Sequence, residues 1–317
     1  MIYLDNAATT APNKKALEKA TQIYEEYFYN PSASYKQGAE VHALIEDCKR
    51  TILETLVLPE AMDDYDIIFT GSGTEADNLA LSVGGKTLIS NHEHAAVYEF
   101  ANNSGDCDLV SSDDDADLVS VCHVCSETGR ITNIAEIARI AKERNPKCLF
   151  HSDGVQAYGK IPFKLTPEID MYSISAHKIG GIKGTGALVY RKEVKDRLCP
   201  IIYGGGQGNG LRSGTENVLG IIDFAEAVKR WGNPRDTVDV EFSFDTHVII
   251  NSAIVRRLRD TLWEFLDKEK FVRISPENGS PYILTVSAKG KNNEVIQKIL
   301  EEKYGILVGI GSACSSN

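Results

Sequence analysis

From residue 66 to residue 190, short apolar runs rich in β-branched and aromatic residues alternate with amphipathic stretches. The runs cover residues 66–70, 87–90, 118–122, 149–151, 171–175 and 187–190, and turn or polar residues follow them. Such runs read as strands. Between them, residues 75–82 and 134–143 carry a helical pattern. Alternating β and α units demand an α/β fold with a mostly parallel sheet covered on both faces, because parallel strands need helix-length crossovers. Ligands of such sheets bind beyond the carboxyl ends of the strands.

Helices are expected at residues 14–27 and 39–56 ahead of this region, and residues 106–117, with three consecutive aspartates, read as a solvated loop. Trp231-Gly-Asn-Pro-Arg235 reads as a turn and a boundary. Beyond it, a helix at 245–266, a strand at 282–286, a helix at 294–303 and a strand at 306–308 predict a small α+β domain. The expected division is a large domain over 14–231 and a small one built from 1–13 and 232–317, which suits a chain of 317 residues.

Composition narrows the function. With 42% hydrophobic and 25% charged residues the chain is globular, and a net charge of −11 argues against a nucleic-acid partner. No apolar run is long enough to span a bilayer, and the start, Met-Ile-Tyr-Leu-Asp-Asn6, lacks the basic and apolar segments of a secretion signal, so no membrane association and a cytoplasmic location are expected. Seven cysteines, at 48, 107, 122, 125, 148, 199 and 314, form no disulfide framework. Cys122 and Cys125 have CxxC spacing without a second pair, and read as buried structural residues rather than a metal site.

Several residues at strand ends carry chemistry. Lys178 closes Met-Tyr-Ser-Ile-Ser-Ala-His-Lys, followed by Gly180, Gly181 and Gly184. It is either a surface lysine or a partly buried nucleophile that later serves as a base. Asp153, in His-Ser-Asp-Gly-Val-Gln156, is a helix cap, a metal ligand or the partner of a pyridinium nitrogen. A lysine at the end of one buried strand and an aspartate at the end of another suit pyridoxal 5'-phosphate, with Lys178 as Schiff base and Gln156 donating to the ring oxygen. Thr70-Gly-Ser-Gly-Thr-Glu75 runs from a strand through glycines into a helix, so backbone N–H groups and Thr74 can hold a phosphate, unless Thr74 is only the helix cap. His94 opens a helix, either as a cap or as a ring stacked on a flat ligand. Residues 204–215 are rich in glycine and donors: a surface loop or a second phosphate segment. Cys314, in Gly-Ser-Ala-Cys, sits on an expected loop and is a candidate nucleophile.

In this order the motifs closely resemble the cysteine desulfurases of the NifS/IscS type, within class V of the pyridoxal-phosphate aminotransferases. The matching segments are Tyr3 to Thr10, Asn30-Pro-Ser32, Thr74-Glu75, His94, Asp153 to Gln156, Ser175 to Lys178, Arg212-Ser-Gly-Thr215 and Gly311 to Ser315. The resemblance implies PLP fold type I and a homodimer. It implies that Lys178 carries the cofactor, Asp153 pairs its ring nitrogen, Gln156 its ring oxygen, and His94 stacks on the ring. Gly73, Thr74, Ser175 and His177 would hold the phosphate, with Thr215 reaching the phosphate of the other subunit. L-cysteine would give alanine and a persulfide on Cys314, which passes its sulfur to an acceptor protein for iron–sulfur, tRNA or thio-cofactor synthesis.

The sequence departs from the family's pattern in places. Ser126 stands where the family has an asparagine contacting the ring oxygen, and Tyr35 where it has a histidine. The family's arginine for the substrate carboxylate lies beyond the cysteine loop, in a strand-and-helix segment that this sequence, ending at Asn317, does not include. A shortened chain or a changed activity is the expectation, with Arg212 a possible substitute and apolar surface left exposed on the small domain. Two alternatives follow: another class V lyase or transaminase acting on selenocysteine or cystine, and a non-catalytic homologue.

Overall fold

The computed structural model describes residues 1–104, 107–109, 116–231 and 244–311. In chain order the elements are β1 (Ile2–Tyr3), α1 (Lys14–Glu26), α2 (Lys36–Leu56), β2 (Tyr65–Thr70), α3 (Gly73–Leu81), β3 (Thr87–Ile89), α4 (Ala95–Ser104), β4 (Cys107–Leu109), β5 (Leu118–Ser120) and α5 (Ile134–Arg144). There follow β6 (Leu149–Asp153), β7 (Met171–Ser175), β8 (Gly186–Arg191), α6 (Val218–Arg230), α7 (Phe244–Phe265), β9 (Phe271–Arg273), β10 (Val286–Ala288), α8 (Asn293–Tyr304) and β11 (Ile306–Leu307).

Seven strands form one sheet in the order β2-β8-β7-β6-β5-β3-β4. The pairs from β7 through to β4 are parallel, and β8 runs antiparallel to both of its neighbours. Period-two alternation divides the strand residues between two buried faces. Ile67, Leu88, Val119, Phe150, Tyr172 and Val189 pack with Ile52 and Leu56 of α2, Ile134 and Ala138 of α5, and Phe224 and Val228 of α6. The next or preceding residues, Ile68, Ile89, Leu118, Leu149, Met171 and Leu188, pack with Ala76, Leu79 and Ala80 of α3 and Val97 and Ala101 of α4. Burial on both faces is why these runs are continuously apolar.

Two expectations need correction. Residues 106–117 do not read as loop throughout, because β4 (Cys107–Leu109) adds to the sheet edge in parallel with β3. Strand pairing expected at 282–286 falls instead on β10, antiparallel to β9. The cause is Ile283, which turns away to pack with Val124 and Ala157, so the regular pairing begins only after it. Among the described residues no helix is long and apolar enough to cross a membrane. The elements after the large sheet do expose apolar side chains: Ile254, Leu258, Leu262 and Phe265 on α7, and Val295 and Ile299 on α8.

β1 pairs in parallel with β11, joining Ile2 to Ile306 and Tyr3 to Leu307. From there residues 5–13 cross to the large sheet as a strap. Thr10 donates its N–H (3.0 Å) and its hydroxyl (2.9 Å) to the carbonyl of His177, its hydroxyl accepts from the Gly180 N–H (2.8 Å), and the Asn13 N–H bonds the Gly180 carbonyl (2.7 Å). The strap therefore lies across the segment that follows β7.

Candidate active site

The carboxyl ends of β5, β6 and β7, the N-terminus of α3 and the strap converge on one site. β7 ends at Ser175 and turns at once through Ala176–Lys178, which swings Lys178 inward. Lys178 is buried, and its Nζ donates to the carbonyls of Ala7 (2.5 Å) and Ala8 (2.9 Å) on the strap. Gln156 is buried too, and its Nε2 donates to the same Ala7 carbonyl (2.7 Å). His177 faces Thr9, with Nδ1 3.1 Å from the hydroxyl; burial, reinforced by Lys178, Lys160 and Lys183, pushes its pKa down to about 4, so the imidazole is neutral.

Asp153 ends β6, buried, with one oxygen accepting from the Val155 N–H (2.8 Å). Burial raises the pKa of this carboxyl, while His94, the Val155 N–H and Lys178 oppose the rise. Carboxylate oxygens of Asp77 and Asp153 and a ring nitrogen of His94 all lie within 4.8 Å of one another. The pKa of Asp77, on α3, is raised well above its ordinary value by burial and by the charge of Asp153. Behind it stands a neutral relay of buried side chains. His151 contacts Ser120 through Nδ1 and Ser173 through Nε2, both at 2.9 Å, and burial lowers its pKa to about 3. Asp153 thus lies between buried Asp77 and His151 on one side and His94 and Lys178 on the other.

The N-terminus of α3 supplies the second half of the site. Its cap is Ser72, whose hydroxyl accepts from the Glu75 N–H (3.1 Å), while Glu75 reaches back to the Gly71 N–H (2.8 Å). With capping taken by Ser72, Thr74 is left exposed. A Cβ on Gly73 would lie 2.8 Å from Val155 Cγ2 and 3.6 Å from Ser175 Cβ, so the helix start is pressed against the ends of β6 and β7. Ser175 Oγ is buried there without a hydrogen-bond partner among the described residues. Free helix N–H groups, an orphaned buried hydroxyl and neutral His177 make a set of donors that fits a phosphate. Asp153, a buried carboxyl at a strand end, fits a protonated ring nitrogen. The residues present therefore fit pyridoxal phosphate at both ends.

Other expected site residues sit further out. Arg212 pairs with Glu75 (2.9 Å), bracing the turn ahead of α3. Thr215 is exposed beyond it, and Ser126 is half-buried on a turn closed by the Gly129 N–H on the Cys125 carbonyl (2.9 Å). Tyr35 precedes α2 and is exposed. Cys314 lies outside the described residues. Cys122 and Cys125 are buried.

Sequence reasoning missed Asp77, Lys160, His151 and Glu93. Two signals were available: polar residues inside the apolar run Leu149-Phe-His-Ser-Asp153, and Asp77 four residues after Gly73 on the same helix face. Glu93 accepts from Ser90 (2.5 Å) and from the Cys122 N–H (2.6 Å) through one oxygen, while the other is buried without a partner among the described residues. Burial, with Asp153 adding to it, raises its pKa to about 8. Its folded pKa exceeds its unfolded one, so the stability it contributes is full below the ordinary carboxylate range and is lost as pH rises through about 8. Glu93→Gln removes that loss. Urea melts should show the variant gaining roughly 3–5 kcal/mol on wild type between pH 5 and pH 8.5; an unchanged difference at the two pH values would contradict a protonated Glu93.

The sequence model of the family described as Aminotransferase class-V matches residues 2–317. The chain is 32% identical to a putative cysteine desulfurase IscS 1 of Bacillus subtilis, across 99% of this chain and 86% of that protein. Its fold is similar to the X-ray structure of a NifS-like protein from Rickettsia africae, with a TM-score of 0.87 and 29% identity over 99% of this chain and 88% of the other. It is also similar to SspA in complex with cysteine, with a TM-score of 0.78 and 27% identity over 99% and 90% of the two chains.

Proposed function

We infer that this chain, which belongs to the class-V aminotransferase family, is a pyridoxal-phosphate-dependent cysteine desulfurase of PLP fold type I. The observation that carries the reading is that buried Lys178 and buried Asp153 lie beside a helix start whose neighbour, Ser175, has a hydroxyl without a partner among the described residues. Bound pyridoxal phosphate supplies an electron sink for the charge that builds at the substrate Cα. Lys178 would hold the cofactor, and its amine would take the Cα proton of the substrate. Asp153 keeps the ring nitrogen protonated, Gln156 donates to the ring oxygen, and His94 covers the ring face. Gly73, Thr74, Ser175 and His177 take the phosphate. In a homodimer Thr215, on an exposed loop, adds a hydroxyl to the partner's site. Ser126 is shorter than the asparagine expected there and leaves the ring oxygen to Gln156. Arg212, engaged with Glu75, holds the phosphate turn in shape.

The Cys314 thiolate attacks the sulfur of L-cysteine. The Cβ–Sγ bond breaks as the new S–S bond forms, the electron pair passes to Cβ, and protonation there, with the Lys178 ammonium returning a proton to Cα, gives L-alanine. Sulfur leaves as a Cys314 persulfide for an acceptor protein. The balance needs no external oxidant or reductant.

The test is the visible spectrum of cofactor-supplemented protein before and after L-cysteine. A band that shifts with cysteine, a thiol-alkylation mass increment of one sulfur on Cys314, and its loss in Cys314→Ser are expected. A Cys314→Ser variant that still turns over would point to a lyase, and protein that takes up no cofactor would point to a non-catalytic homologue.

A further inference from the structure

Lys160 takes no part in the chemistry just described, yet it is only 2% exposed. A fully buried lysine is rare unless something specific holds it. Among the described residues no carboxylate pairs with it. Its ammonium donates instead to Gln156 Oε1 at 2.8 Å.

That bond has a directional consequence. An ammonium only donates, so the end of the Gln156 amide that faces it must be the carbonyl oxygen. The amide orientation, which nitrogen and oxygen positions alone leave open, is thereby set by chemistry. Nε2 points the other way, to the Ala7 carbonyl at 2.7 Å, and that carbonyl also accepts from Lys178 Nζ at 2.5 Å. Lys160, Gln156, Ala7 and Lys178 form one continuous chain of donors and acceptors. Burial, with the charge of Lys178 adding to it, lowers the Lys160 pKa to about 7, and Lys160 in turn helps lower that of His177. Three basic groups, Lys160, Lys178 and His177, therefore bear on one another. Asp5 and Asp153 interact with Lys178. The arrangement suits an anionic ligand on the Lys178 side.

We propose that Lys160 is a positioning residue: its buried ammonium fixes the Gln156 amide so that the NH2 end is presented beside Lys178, ready to donate to the anionic ring oxygen of the cofactor. The proposal rests on pyridoxal phosphate being the ligand. It assigns Lys160 a role through Gln156 and none by direct contact.

A double-mutant cycle on cofactor binding tests it, using Lys160→Met, Gln156→Ala and the pair, with the dissociation constant of pyridoxal phosphate read by absorbance titration of the apo-protein. Each single change should weaken binding about tenfold, and the pair should be no weaker than either alone, because Lys160 acts through the amide. Single effects that multiply, or a Lys160→Met protein that binds like wild type, would overturn the proposal. A second readout needs no cofactor. Competitive amine labelling of the apo-protein at pH 6, where Lys160 carries its charge, followed by peptide mass spectrometry, should find Lys160 shielded in wild type and Lys178 labelled roughly threefold more slowly in Lys160→Met, because a like charge has been removed. Surface-like labelling of Lys160 in wild type would refute the inference even if the variant failed to fold. Failure of wild type to take up pyridoxal phosphate would sink the proposed function, while the labelling would still decide the place of Lys160.

Discussion

Lys178→Ala is expected to leave a folded protein whose turnover of L-cysteine is on the order of 10³–10⁴-fold slower than wild type, with the visible cofactor band gone. The fold should survive because the turn that carries Lys178 is held by its backbone: the Ile179 and Gly181 N–H groups both bond the Ala176 carbonyl, and Thr10 of the strap bonds the His177 carbonyl. What is lost is an amine in a place no neighbour can supply. Lys160, the other buried lysine, is bonded to Gln156. Far-UV circular dichroism and a steady-state alanine assay check the two halves. A variant that kept a tenth of wild-type turnover would show that another base removes the Cα proton.

Gly154→Ala should give the largest loss of stability, roughly 3 kcal/mol, seen as a melting temperature lower by about 5–10 °C. A Cβ there would fall 2.0 Å from Cζ and 2.4 Å from the hydroxyl of Tyr172. The ring cannot step aside. Tyr172 is fully buried, its hydroxyl lies 2.8 Å from His123 Nδ1, and Phe163 stacks on it with centroids 5.8 Å apart. The strain would move Asp153, the preceding residue, so cofactor affinity should fall along with stability. Tyr172→Leu, which removes the clashing atoms, should make the double variant less unstable than the sum of the two single changes. Additive losses would mean that the clash is relieved elsewhere.

Much of this architecture is legible in the chain because the central strands are buried on both faces and their apolar runs are unbroken. The strands at 66–70 and 171–175 match closely for that reason. β4 escaped because only three residues pair, next to an acidic stretch, and an edge strand needs no second apolar face. The site was legible where chemistry sits at a strand end: Lys178, Asp153, Gln156 and Ser175 could each be named, and the fold gathers them. What could not be read was pairing over long sequence distances. Nothing near Gln156 announces that Ala7 shares it with Lys178, and nothing near Asp77 announces that Asp153 is its neighbour, since such contacts depend on tertiary packing rather than on local pattern. Thr74 shows the converse: its spacing allowed a cap, but Ser72 two residues earlier is better placed for that bond.

The pairing of β1 with β11 also bears on how the protein is made. The strap that supplies the Ala7 and Ala8 carbonyls to Lys178 is anchored at its outer end to a strand translated much later. During synthesis the large sheet can assemble domain-wise while β1 waits for its partner to leave the ribosome, and closure of so long a loop is slow. Nascent chains should therefore hold an open cofactor site until β11 has emerged, so that loading with pyridoxal phosphate follows the synthesis of that strand.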